Sequence, residues 1–264
     1  MPKPHELLEL AVALARSGGE LARSSRERAN ADVATKSTPT DVVTEGDRAT
    51  ERMIVDALRE RRPYDEVIGE ETGHHAGAGV RWLLDPIDGT VNYLYGIPQY
   101  AVSLAAEVAG RTVAAVVHNP VTGEEWTALA GEGAYLDGRR LTGSAVTELS
   151  QTLVATGFGY NPARRVHQAR VLTGLLEEVR DIRRFGAAAL DLCYAADGRV
   201  DAFYEKGLAP WDLAAGGLIA REAGLLVTGL DGAGAGPAMT LAAPPAVHQE
   251  LHDALVRFDA AGGP

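Results

Sequence analysis

Apolar residues recur at helical spacing from about Glu6 to Arg28. Leu7, Leu10, Val12, Leu14 and Leu21 share one face and charged residues take the other, so a first long helix is expected there. The polar stretch Asn30–Asp41, which contains Lys36-Ser37-Thr38-Pro39-Thr40, reads as a loop. A second helix is predicted from near Thr44 to Arg62. Thr44 with Asp47 three residues on resembles a capping box, and Pro63 stops the run. Beyond Pro63 the period changes. Val67-Ile68 and Trp82-Leu83-Leu84 are short apolar runs, joined by a Gly/His-rich connector, Gly73–Gly79. Strands of about 101–109, 112–118, 124–129 and 134–136 form a meander, separated by turn residues such as Asn119-Pro120 and Asp137-Gly138.

The second half alternates. Strand Thr152–Thr156 precedes helix Pro162–Val179, strand Asp181–Phe185 precedes helix Ala187–Ala196, and strand Asp201–Glu205 precedes helix Trp211–Ala223. Strands near Leu225–Thr228 and Met239–Ala242 and a last helix, Pro245–Phe258, follow. The fold class is therefore α/β, with helices packed on sheet faces: an α+β N-terminal subdomain over 1–146 and an α/β C-terminal subdomain over 147–264.

A chain of 264 residues, 46% hydrophobic and 23% charged, can bury a real core in one domain or two closely packed subdomains. Its net charge of −11 argues against coating nucleic acid, and any phosphate it binds would need a cation such as a metal ion. Met1–Leu10 is charged and lacks a leader-like apolar run, and no stretch reaches membrane-spanning length. With a single cysteine, Cys193, a cytoplasmic setting is expected.

Five carboxylates occupy positions where a chain does not casually place them. Glu70 and Glu71 end the strand Val67-Ile68-Gly69, and Asp85 ends Trp82-Leu83-Leu84. Asp88 follows in a turn with Pro86, Ile87 and Gly89, and Asp212 opens a helix after Trp211. Strand ends and a helix start can bring such groups together from distant sequence. Clustered carboxylates resist ionising, and a divalent cation removes that cost. All-oxygen donors without a Cys or His pattern point to Mg²⁺, with Mn²⁺ as a substitute, and the Ile87 carbonyl lies between Asp85 and Asp88 as a further donor. Taken singly each has a plainer reading: Asp212 as a helix cap, Asp88-Gly89 as a turn, Glu70-Glu71 as a solvated pair. His74-His75 reads as connector, Cys193, Trp126 and Phe203 as packing, and Arg164-Arg165 and Arg183-Arg184 as surface or interface charge.

Trp82-Leu83-Leu84-Asp85-Pro86-Ile87-Asp88-Gly89-Thr90-Val91-Asn92-Tyr93 resembles the first signature of the inositol monophosphatase family, in its bacterial inositol-1-monophosphatase branch. Trp211–Gly216 with Glu222-Ala223-Gly224 resembles the second, Gly69-Glu70-Glu71 the acidic pair, and Lys36–Asp41 with Thr44 and Asp47 the catalytic loop and its helix. The resemblance implies a layered αβαβα sandwich, as in fructose-1,6-bisphosphatase, and Mg²⁺-dependent hydrolysis of myo-inositol monophosphates. It implies two to three ions held by Glu70, Asp85, the Ile87 carbonyl, Asp88 and Asp212. Catalytic roles fall to Glu70, Thr90 and Asp47, with Thr90 orienting the attacking water and Thr90 as a direct nucleophile the competing reading. Substrate contacts fall to Ile87, Asp88, Gly89, Thr90, Arg183, Gly186, Ala188, Glu205 and Asp212. A homodimer and inhibition by lithium are implied as well. Leu225, where a second Gly is common, and Ala187, in place of Ser or Thr, depart from the pattern. The same chemistry on fructose 1,6-bisphosphate, histidinol phosphate or 3′-phosphoadenosine 5′-phosphate is the alternative substrate reading. A metal-binding regulatory protein without turnover is the alternative of another class.

Overall fold

The computed structural model describes residues 3–29, 33–36, 38 and 42–264; Asn30, Ala31, Asp32, Ser37, Pro39, Thr40 and Asp41 of the expected loop lie outside them. Helix α1 (Pro4–Ala29) is followed by a short antiparallel pair, β1 (Val33–Thr35) with β2 (Val42–Thr44), and by α2 (Glu45–Arg61). Next come β3 (Glu66–Gly69), β4 (Gly73–His75), β5 (Arg81–Asp88) and the short α3 (Thr90–Tyr95). The meander is β6 (Ala101–Val108), β7 (Arg111–His118), β8 (Glu125–Leu129), β9 (Gly133–Leu136) and β10 (Arg139–Arg140). The remainder is β11 (Leu153–Thr156), α4 (Pro162–Leu175), β12 (Asp181–Arg183), α5 (Ala188–Asp197), β13 (Ala202–Glu205), α6 (Pro210–Glu222), β14 (Leu226–Thr228), β15 (Thr240–Ala243) and α7 (Pro245–Arg257).

Two larger sheets organise the chain. One has eight strands in the order β10-β9-β8-β7-β6-β5-β3-β4, the other five in the order β12-β11-β13-β15-β14. Side chains alternate between sheet faces, and three cores record that alternation. Trp82 and Leu84 of β5 pack with Leu7, Leu14, Ile54 and Leu58 of α1 and α2. Leu83 between them faces the opposite way, into a core shared with Leu190 and Leu192 of α5 and Leu218 and Ile219 of α6. Phe203 of β13 joins that same middle core, while its neighbours Ala202 and Tyr204 pack with Val171 of α4 and Leu251 of α7. The layers therefore run helix, sheet, helix, sheet, helix, and both sheets are apolar on both faces. Helices α5 and α6 touch closely at Gly216, where an added Cβ would stand 2.8 Å from Leu192 Cβ.

The structure departs from the sequence reading at short elements. β1 falls inside the stretch expected to be loop, held by pairing of Ala34 with Val43. His74 and His75, expected in a connector, form the edge strand β4 because three antiparallel pairs tie them to β3. The helix expected to reach Val179 ends at Leu175 and continues as turns, and the strand expected to reach Phe185 ends at Arg183. Among the described residues no helix is long and apolar enough to cross a membrane.

Candidate active site

Strand β5 sets the position of two carboxylates. Its ladder with β6 pairs Asp85 with Ser103 and Asp88 with Ala101, so three steps on β5 meet two on β6. Pro86, which has no N–H to give, lies in that bulge. Asp85 Oδ1 accepts from Ile87 N–H at 3.0 Å, and the Ile87 carbonyl lies 3.2 Å from the Thr90 hydroxyl oxygen. Gly89, with φ of 91°, then turns the chain into α3; a Cβ there would stand 2.9 Å from the Gln99 carbonyl.

Asp88 reaches across to the second sheet's layer. Its carboxylate accepts N–H groups of Ala188 (3.0 Å), Ala189 (2.8 Å) and Leu190 (3.4 Å). Ala187, the cap residue before α5, offers no capping side chain, so Asp88 caps the helix from a distant strand and meets the positive end of its dipole. Asp212, at the third position of α6, accepts from Ala209 N–H at 2.7 Å.

The acidic groups perturb one another. Burial, then the charges of Glu70, Asp88 and Asp212, hold Asp85 well above the usual carboxylate range. Asp212 is raised in the same way, first by burial and then by Glu70 and Asp88. Burial pushes Asp88 up to about 7 although the α5 N–H groups favour its charged form.

Glu70 follows β3, and its N–H donates to the Leu84 carbonyl of β5. Lys36 Nζ lies 2.7 Å from Glu70 Oε1 and also pairs with Glu71. Burial opposes the Lys36 charge, but the two glutamates outweigh it and raise its pKa. Burial likewise lifts Glu71 to about 7 against the pull of Lys36.

Behind this turn is Glu51, a residue the sequence reading missed. Its buried carboxylate accepts from Glu71 N–H (2.9 Å), Thr72 N–H (2.5 Å) and the Thr72 hydroxyl (2.5 Å). A signal was available, since Glu51 shares the helical face of Ile54, Val55 and Leu58, which predicts burial.

Thr90 and Asp47, 43 residues apart, meet in a hydrogen bond of 2.9 Å in which the threonine donates. The expected capping box is present: Thr44 N–H donates to Asp47 Oδ2 at 2.8 Å and Asp47 N–H to Thr44 Oγ1 at 3.3 Å. Asp47 is fully buried, and burial raises its pKa against these bonds.

One cavity of about 640 Å³ is lined by Glu70, Asp85, Ile87, Asp88, Gly89, Thr90, Gly186, Ala188, Glu205 and Asp212 together. Asp47 stands behind it, through Thr90. Burial raises Glu205 to about 8, with Arg184 opposing. Arg183 is not brought in. Its guanidinium pairs with Asp181 at 2.6 Å at the exposed edge strand β12, and the next side chain along, Arg184, lines the cavity instead. Extended chain turns successive side chains to opposite sides, so an offset of one residue decides which arginine enters. His74 and His75 bond Glu66 and Thr72, outside the cavity, and Cys193 is buried packing.

The model of the inositol monophosphatase family matches residues 3–258. The chain belongs to that family. Inositol-1-monophosphatase SuhB of Mycobacterium tuberculosis (strain H37Rv) is 47% identical over 238 residues, covering 86% of this chain and 82% of the relative. Nus factor SuhB of Escherichia coli (strain K12) is 43% identical over 231 residues, 86% of each chain. The solved structure of Mycobacterium tuberculosis SuhB superposes with a TM-score of 0.85 at 40% identity, covering 99% of this chain and 100% of that one. The family's proteins are phosphatases that generally depend on metal.

The donor set here fits such an ion in type and charge: hard oxygens, buried, mutually repelling, without competing Cys or His. Among the described residues, no three acidic, His or Cys groups yet surround one point closely enough to hold a metal. Lys36 holds Glu70, and backbone N–H groups hold Asp88 and Asp212.

Proposed function

We propose that the chain hydrolyses myo-inositol monophosphates to myo-inositol and phosphate, with water as the nucleophile and Mg²⁺ as the cofactor. The hydrogen bond from Thr90 to buried Asp47, at the wall of a cavity shared with five carboxylates, carries the reading. Because the Thr90 hydroxyl gives its hydrogen to Asp47, its oxygen is left to accept one from water. A carboxylate with a raised pKa behind it favours that acceptance. Two to three Mg²⁺ ions (or Mn²⁺), held by Glu70, Asp85, the Ile87 carbonyl, Asp88 and Asp212, would supply neutralised ester oxygens and a more acidic bound water.

The main-chain N–H groups of Gly89 and Thr90 would face the phosphate. Glu205, an acceptor on the same cavity, would take ring hydroxyls beside Gly186 and Ala188, which supports a polyol. The family resemblance supports a homodimer and lithium inhibition.

The test is phosphate release with Mg²⁺, against EDTA, from inositol 1-phosphate, fructose 1,6-bisphosphate, histidinol phosphate and 3′-phosphoadenosine 5′-phosphate. Fast release from inositol 1-phosphate alone is expected. Preference for another ester replaces the substrate and keeps the mechanism. The name Nus factor, borne by the Escherichia coli relative, supports a second reading as a regulatory protein. No release from any ester with metal bound would favour it.

A further inference from the structure

The cavity has a second wall of opposite charge. Arg164, Arg184 and Lys206 line it, together with the Gly157–Asn161 segment that leads into α4. Glycines make room for these side chains: a Cβ on Gly207 would stand 2.7 Å from Arg164 Nη1, and one on Gly186 would fall on the Arg184 guanidinium. Among the described residues no Asp or Glu side chain is within ion-pair distance of any of the three cations. Arg184 faces the ring of Phe158, 6.0 Å from its centroid, and the more distant charges of Glu205 and Asp191.

The chain itself covers the other two. Lys206 Nζ donates to the carbonyls of Gly262 (2.8 Å) and Gly263 (3.0 Å), and Arg164 Nε donates to the main-chain oxygen of Pro264 at 2.8 Å. Main-chain oxygens satisfy donors but balance no side-chain charge at Lys206. A phosphoryl group would do both, through charge-assisted bonds of greater strength. Those bonds hold the segment, and Gly263, whose φ of 73° lies in the left-handed region, lets it turn there.

We propose that Arg164, Arg184 and Lys206 form a second anion-binding position, closed by the main-chain oxygens of Gly262–Pro264, whose ligand is a second phosphoryl group on the substrate. The inference rests on the phosphatase reading for its location beside the acidic cluster. With the segment in place the cavity grips monophosphorylated polyols. With it displaced, a bisphosphorylated polyol gains two freed cations in addition to Arg184.

The test keeps the full chain. In Gly263→Val the new side chain is strained at that φ and meets the His167 ring, about where a Cβ would already stand 2.6 Å from Cγ, so the segment leaves Lys206. The KM for fructose 1,6-bisphosphate is expected to fall roughly tenfold, the effect of one charge-assisted contact, with KM for inositol 1-phosphate unchanged. Adding Lys206→Ala or Arg164→Ala should return the bisphosphate KM to the parent value. Gly262→Val, which presses on Asp259, is the second route to the same displacement and guards against a misfolded first variant. Calorimetric titration with fructose 1,6-bisphosphate in EDTA reads the position without turnover, so it holds even if no ester is hydrolysed. Unchanged bisphosphate binding in both glycine variants, or a gain that survives Lys206→Ala and Arg164→Ala, would overturn the proposal.

Discussion

Glu205→Gln separates the stability of the fold from the work of the cavity. Burial lifts the Glu205 carboxyl from its ordinary 4.5 to about 8, only partly opposed by Arg184. A raised carboxyl pKa costs nothing while the group is protonated in both states. Between those two values the unfolded chain ionises and the folded one resists, so stability falls as pH rises, and the full cost stands above the folded value. For a fully buried group that cost would be about 5 kcal/mol. Glu205 is only half-buried, and solvent screening brings it to about 2 kcal/mol. Glutamine keeps the shape and never ionises. In EDTA, Glu205→Gln should melt with the parent near pH 5 and roughly 4–8 °C above it near pH 9. In steady-state kinetics with Mg²⁺ at about pH 9, where the Glu205 carboxyl is ionised, the same variant should raise KM for inositol 1-phosphate about tenfold, because a charged acceptor for a ring hydroxyl becomes neutral. An equal difference in melting at both pH values would refute the buried-charge argument. An unchanged KM would refute the ring-hydroxyl role.

Thr90→Val keeps the volume and removes the hydroxyl, so kcat should drop by about a hundredfold or more with KM little moved; a normal kcat excludes Thr90 from water activation. Asp88→Asn should fold, with some loss at the start of α5, yet weaken Mg²⁺ binding and lower turnover by orders of magnitude. Near-normal turnover would refute its place among the metal ligands. Glu51→Gln should cost about 2 kcal/mol in thermal melts and lower Mg²⁺ affinity, since the turn carrying Glu70 loses a charged acceptor for three donors. Lithium should inhibit phosphate release in competition with Mg²⁺, and insensitivity would point to a distant branch of the family.

The long elements were legible because their periods are long enough to repeat. The face of α1 and the alternation through β6–β9 survive a shift of one residue at either end. β4 and β1 were not, since three residues show no period and what makes them strands is pairing with β3 and β2. Carboxylates at the ends of β3 and β5 stood out in the sequence as chemically expensive, and the structure brings Glu70, Asp85 and Asp88, though not Glu71, to one cavity with Asp212. That Asp88 would cap α5, or that Glu51 would hold the turn at Glu71-Thr72, depends on the approach of separate layers. The exchange of Arg183 for Arg184 has a simpler origin: successive side chains of extended chain face opposite ways, and Arg183 pairs with Asp181 at the exposed edge while Arg184 lines the cavity.

The most direct measurement is the initial rate of phosphate release from inositol 1-phosphate by the parent chain and by Asp212→Asn, each with Mg²⁺ and with EDTA. Rapid release by the parent with Mg²⁺, abolished by EDTA and lowered by orders of magnitude in the variant, is the predicted result. Release that continues in EDTA, or that the variant matches, would contradict a metal-dependent phosphatase built on this acidic cluster.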